Sequence, residues 1–192
     1  MSNIDMIMFK KMAPKRFNQF SFVPSCGASG CILMGWNASI FTRQVLSSSH
    51  FQIILCFTSM HNANQWNLTK VYGPCQGQEK QNFSDWLYNL QIADGQDWMI
   101  VGDFNMYRSK ENRNREGGNM TDVFTFNEII SSVGLQEIPL KGKNYTWSNM
   151  QEDPLLEQID WCFTSTHWIS AFPNTLMLPL SRPTSDHTPC RI

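Results

Sequence analysis

No stretch of the sequence approaches the roughly 18 apolar residues that a membrane helix needs. The opening "MSNIDMIMFKKMAPKR" also lacks the long apolar core of a signal peptide. These absences lead to the expectation of an intracellular protein, nuclear or cytoplasmic and not secreted. Matches to the glycosylation pattern at Asn37, Asn67, Asn82, Asn119 and Asn144 then carry no meaning. The cysteines at 26, 31, 56, 75, 162 and 190 show no paired short spacing of the zinc kind, and several sit in apolar runs such as "FQIILCF". They read as buried free thiols. A net charge of -1 leaves no whole-molecule field to draw in nucleic acid or hold a membrane surface, so any polyanion site must be a local patch. The basic groups available are Lys10, Lys11, Lys15 and Arg16 near the start, and Arg108, Lys110, Arg113 and Arg115 later. Taken alone, each group reads as solvated loop charge. Internal repeats, low-complexity tracts and linkers are absent as well.

What is present is a core. With 192 residues, 42% hydrophobic and 12% aromatic, the sequence suits one domain spanning 1–192. Short apolar runs bounded by turn residues predict strands over 31–36, 51–59, 66–73, 98–104, 144–149 and 157–165, mostly covered on both faces. Between them, Phe83, Trp86, Leu87 and Leu90 share one face of a predicted helix over 79–93. A second helix, 121–134, opens on a Thr or Asp suited to an N-cap and closes on Gly134. Many strands with a few interspersed helices predict a layered α/β domain. One long polar loop, 108–119, follows the fourth of these strands; it reads as a flexible insertion or a carrier of substrate contacts.

That fourth strand ends on Asp103 and Asn105, an acid and an amide flanking Phe104. Singly, each has an ordinary turn-forming role. A second constellation, "SDHTPC", places Asp186 and His187 before a final strand, and a third acid, Asp160, stands inside "EQIDWCF". A buried carboxylate needs a partner, and His187 is the obvious one. Such a pair fixes the imidazole tautomer and leaves the second nitrogen free to meet substrate.

The phrases "FVPSCGASGCILMGWN", "VYGP", "VGDFN", "NYTWSN" and "SDHTPC", in that order, resemble the endonuclease/exonuclease/phosphatase superfamily, the DNase I-like group. Within it, the sequence resembles the apurinic-type endonuclease domain of plant LINE (non-LTR) retrotransposons, over about residue 17 to the end. The resemblance implies a four-layer α/β sandwich, two packed mixed sheets flanked by helices. It also implies Mg²⁺-dependent (or Mn²⁺-dependent) nicking of DNA by a monomer that needs no membrane. By that pattern Tyr72 contacts the scissile phosphate region, Asp103 orients or deprotonates the attacking water, and Asn105 holds the phosphate or the developing charge. Asp186 helps hold the metal, while His187, supported by Asp160, stabilises or protonates phosphate oxygens. "YTWSN", with Thr146, Trp147 and Asn149, reads as a substrate-side strand with the indole near the active surface, core packing of Trp147 being the equal alternative. "GASG" (27–30) reads as a tight turn with no catalytic role.

The family's Asn in the first strand and metal-binding Glu at the end of the second have no counterpart here, Asp5 included. The expected fold therefore lacks its first strands and exposes sheet edges, and the expected hydrolysis is impaired. Smaller departures are Gln158 and Trp161 around the "ID" acid, and Cys31 in place of Gly. The alternatives are a non-catalytic retroelement remnant that at most binds nucleic acid, or a phosphoesterase of the same superfamily acting on a substrate other than nucleic acid.

Overall fold

The computed structural model describes residues 3–25, 30–182 and 184–192. Cys26 and most of the expected "GASG" turn lie outside them. Asp5 caps helix α1 (Met6–Met12), its carboxylate accepting the Met8 N–H at 2.7 Å, so this acid has a local structural role. Strands β1 (Gln19–Val23) and β2 (Ile32–Trp36) make an antiparallel ribbon. An antiparallel run of β3 (Phe41–Ser49), β4 (Gln52–Ser59) and β5 (Gln65–Tyr72) follows. Helix α2 (Gly77–Tyr88) then leads to β6 (Trp98–Asp103), which runs parallel to β5. After α3 (Met120–Ser132) come the short strands β7 (Gln136–Glu137), β8 (Trp147–Ser148) and β9 (Leu156–Glu157). The chain ends through β10 (Asp160–Thr164), α4 (Thr166–Ala171), β11 (Leu178–Pro179) and β12 (Cys190–Arg191).

The centre is a mixed six-stranded sheet, ordered β3-β4-β5-β6-β10-β7. Side chains alternate across it, as strand geometry requires. One face carries Val71, Ile100, Trp161 and Phe163 into a core with Phe83 and Leu87 of α2 and Phe126, Ile129 and Ile130 of α3. On the other face, Ile32, Met34 and Trp36 of β2 pack on Ile53, Leu55 and Phe57 of β4. The mixed α/β layering agrees with expectation, the layer opposite α2 and α3 containing two-stranded ribbons and α4. Among the described residues, no helix is long and apolar enough to cross a membrane.

Several boundaries differ from the predicted ones for identifiable reasons. Helix α2 stops at Tyr88, short of position 93, as the Asn89 N–H closes it on Asp85 O. The N-cap of α3 is Asn119, whose side chain accepts the Thr121 N–H at 3.0 Å, and Gly134, at φ +73°, follows the helix as foreseen. Of the predicted strand over 144–149, only Trp147 and Ser148 pair in a ladder. The thiol expectation needs correcting, since Cys75 is exposed and only Cys162 of the described cysteines is fully buried.

The polar loop after β6 is ordered by its own charges. Ser109 and Asn112 form a reciprocal cap on a 3-10 turn (Lys110–Asn112). Arg108 pairs with Glu137 at 2.5 Å, Arg113 with Glu157 at 2.8 Å and Arg115 with Asp153 at 2.7 Å. Asn112 also donates to Gln158 Oε1 at 3.0 Å, which accounts for the amide beside Asp160. The loop is therefore a brace between segments, and its arginines are engaged with carboxylates.

Candidate active site

Parallel strands leave their C-terminal ends open, and the loops there are the usual place for a ligand in an α/β sheet. Here the ends of β5 and β6 are tied together. The Gly73 N–H donates to Asp103 O at 2.7 Å, and Asn105 Nδ2 donates to Gly73 O at 2.6 Å. A Cβ on Gly73 would lie 2.3 Å from the Phe104 carbonyl oxygen, so the glycine of "VYGP" is required by a backbone crossing. Asp103 Oδ1 accepts the Asn105 N–H at 2.9 Å, and Asn105 sits at φ +49°, a left-handed conformation that Asn tolerates better than most residues. The turn-forming and chemical roles of the acid and amide thus coexist in one local structure.

Register brings the third strand in. Tyr72 is paired with Asp103, and Asp103 with Asp160, so the three side chains form a row across β5, β6 and β10. His187 stands over this row, its Nδ1 2.8 Å from Asp160 Oδ2 and its Nε2 3.8 Å from Asp103 Oδ2. The anticipated Asp160–His187 pair is present.

The electrostatics follow from burial. Asp103 is 7% exposed, and burial, followed by the charge of Asp160, pushes its carboxyl up to about 7. The Asn105 N–H, His187 and Lys70 act the other way. Burial disfavours the charged form of His187, but the hydrogen bond to Asp160 and the surrounding carboxylates outweigh it and raise its pKa. Burial, then Asp103, raises the Tyr72 phenol, which is also hydrogen-bonded to the backbone of Gly30.

The remaining predicted residue, Asp186, lies beside His187 but faces another partner. Its Oδ2 accepts the Trp147 indole N–H at 3.1 Å, and that bond is the main cause of its lowered pKa. Trp147 is thus neither plain core nor free active surface; it holds this carboxylate. Replacing Trp147 with Phe is expected to raise the Asp186 pKa towards the ordinary carboxylate range, as followed by carboxyl-carbon NMR titration.

Thr146, anticipated only as part of a substrate-side strand, and Lys70, not anticipated, also shape the site. Thr146 is fully buried and its Oγ1 accepts the backbone N–H groups of Ile159 and Asp160 at 3.2 and 3.0 Å, fixing the strand that presents the acid. Its carbonyl accepts the Thr188 N–H at 2.6 Å, fixing the segment that presents His187. Lys70, two residues before Tyr72 and on the same face, lines a cavity of about 380 Å³ with Asp160, His187 and Cys190. A cationic residue within the otherwise apolar-looking "WNLTKVYG" is the signal that could have disclosed it.

Solved structures with the same arrangement of elements were found at low sequence identity. The endonuclease domain of TRAS1, a telomere-specific non-LTR retrotransposon, superposes with a TM-score of 0.61 at 9% identity, over 88% of this chain and 77% of that one. The fold is DNase I-like. An endonuclease/exonuclease/phosphatase family protein of Bacteroides thetaiotaomicron aligns at TM-score 0.57 and 12% identity, over 96% of this chain and 77% of that one. The mannosyl-6-phosphatase Bt3783 of the same organism gives 0.56 at 12%, over 96% and 79%. No protein-family model matches the sequence, and no curated protein matches it.

A DNase I-like fold raises the question of a divalent metal. Magnesium takes several oxygen ligands in strict octahedral geometry. Among the described residues, no group of three or more His, Cys, Asp or Glu side chains is arranged to hold an ion. Asp186 is bonded to Trp147, Asp103 is drawn towards its neutral form, and Asp160 is committed to His187. These side chains do not fit a Mg²⁺ site.

Proposed function

We propose that this chain acts on phosphoesters as an endonuclease-type domain of retrotransposon origin, nicking DNA slowly. The observation that carries the reading is the cluster of Asp103, Asn105, Asp160 and His187 at the open ends of β5 and β6, on a DNase I-like fold. Asp103, titrating at about 7, takes a proton from water. His187, whose charged form the hydrogen bond to Asp160 favours, donates to a phosphate oxygen or to the leaving alkoxide. Asn105 keeps the Asp103 carboxylate aimed, and Tyr72 borders the row on the β5 side. The carboxylates of the site do not fit magnesium or manganese, Asp186 being bonded to Trp147 and Asp160 to His187, so turnover is impaired.

The test is nicking of supercoiled plasmid by the purified chain in Mg²⁺, Mn²⁺ or EDTA. The expected result is slow nicking that falls by at least tenfold in His187→Ala. Its rate should rise with pH through about 7, because Asp103 must lose its proton before it can accept one. That no three-ligand metal cluster stands among the described residues favours a second reading, a non-catalytic remnant that binds nucleic acid. A folded chain that nicks nothing in any metal would establish that reading over the first. A parallel assay on a soluble sugar phosphate separates DNA from other phosphoester substrates.

A further inference from the structure

The row next to Tyr72–Asp103–Asp160 on the same sheet face comprises Lys70, Val101 and Cys162. It lies roughly 7 Å along the strands from the first, the repeat of alternate residues. Lys70 is its one charged member, and its neighbours Val101 and Cys162 belong to an apolar cluster with Met99 and Met177. Among the described residues, Lys70 forms no ion pair within 4.0 Å and no hydrogen bond. An ammonium in such surroundings is costly unless something compensates it.

The nearest compensating charges are Asp160 and Asp103, which favour the charged lysine while burial lowers its pKa. Neither acid comes within ion-pair distance of the ammonium. Asp160 Oδ2 is taken by the imidazole at 2.8 Å, and Asp103 is drawn towards its neutral form. The cavity beside Lys70 is also lined by His187, Ser185 and Thr188. An anion there would meet an ammonium and an imidazole that Asp160 favours in its charged form.

We propose that Lys70 is the resident cation of the site, its ammonium receiving a non-bridging oxygen of a phosphate bound beside His187, so that the chain holds phosphate without a divalent metal. This inference rests on reading the site as phosphoester-acting, and it assigns to Lys70 the charge-offsetting part that the carboxylates present cannot supply through an ion. A purely structural lysine would satisfy Asp103 and Asp160 equally well in the presence or absence of phosphate.

The test is competitive acetylation of the unaltered chain in EDTA, with and without inorganic phosphate, read at each lysine by mass spectrometry. Phosphate is expected to slow acetylation of Lys70 at least threefold while leaving the exposed Lys10 and Lys141 unchanged. In calorimetric titration with inorganic phosphate in EDTA, Lys70→Met should bind at least tenfold more weakly than the parent, and Lys70→Arg within about threefold of it. Acetylation of Lys70 that ignores phosphate overturns the proposal, as does a folded Lys70→Met chain that binds phosphate like the parent. Should Lys70→Met fail to fold, the acetylation result on the unaltered chain decides. Protection of Lys70 in a chain that nicks no plasmid upholds the lysine's role and removes the hydrolytic reading; nicking without protection does the reverse.

Discussion

Asp103→Asn is expected to abolish plasmid nicking and, at pH 8, to make the folded chain more stable than its parent. The carboxyl of Asp103 titrates at about 7 in the folded chain against an ordinary value of 3.8. The folded state therefore holds this proton more tightly than the unfolded state does. Between those two values it carries more protons than the unfolded chain, so stability falls as pH rises through that window, and above about 7 the whole penalty is present. A shift of this size, in which the favourable His187 and Lys70 charges are already set against burial and Asp160, corresponds to an expected gain on the order of 4 kcal/mol. Asparagine keeps an oxygen to accept the Asn105 N–H, so the turn survives. Denaturant titrations at pH 8 and pH 3 check this: the variant should be more stable at the higher pH and equal to the parent at the lower. A variant less stable than the parent at pH 8 would show that the ionised carboxylate is well accommodated. The group best placed to remove a proton from water would then be one whose charge the fold tolerates poorly, a trade of stability for activity seen widely at active sites.

Gly102→Ala should produce the largest loss of stability. Gly102 lies in β6 at φ +144°, and a Cβ there would stand 2.1 Å from the Val71 carbonyl oxygen. The parallel pairing of β5 with β6 must open to admit it. Backbone strain and a displaced strand together cost about 3 kcal/mol or more. Gly95 provides the comparison: at φ +78° it has nothing within 4 Å of a built Cβ, so Gly95→Ala bears only the backbone cost, about 1 kcal/mol. Equal destabilisation of the two variants in urea would remove the steric argument. Because Gly102 precedes Asp103, the substitution should also disturb the Tyr72–Asp103 register, and nicking should suffer beyond the loss of folded protein.

The parts of the fold that could be read in advance are those where burial dictates residue type. Strands β2, β4, β5 and β6 are apolar runs because both faces or alternate residues are covered. Strand β3 went unforeseen because it is a sheet edge: "FTRQVLSSS" is largely exposed, carries a bulge between Val45 and Ser47, and has no apolar alternation to detect. Helices α1 and α4, of 7 and 6 residues, are too short for a helical period to stand out. At the site, Asp103, Asn105, Asp160 and His187 were legible only in combination: each has an ordinary explanation singly, but a buried acid needs a partner and the phrases that carry the four stand in a recognisable order. Thr146 was legible only as a member of a substrate-side strand, since a threonine there looks like any other until its hydroxyl is seen bonding two backbone groups. Asp186 was found as a residue, but its engagement by Trp147 depends on two segments 39 residues apart.

The arginine loop after β6 bears on how this chain would meet a polyanion in solution. A cation already neutralised by a carboxylate has few counterions to displace from nucleic acid, and counterion release is what makes such binding steeply dependent on salt. With Arg108, Arg113 and Arg115 each matched to an acid, these three add little to that steepness. Association with DNA would therefore weaken only gradually as ionic strength rises, and depend on short-range fit at the cleft more than on long-range attraction.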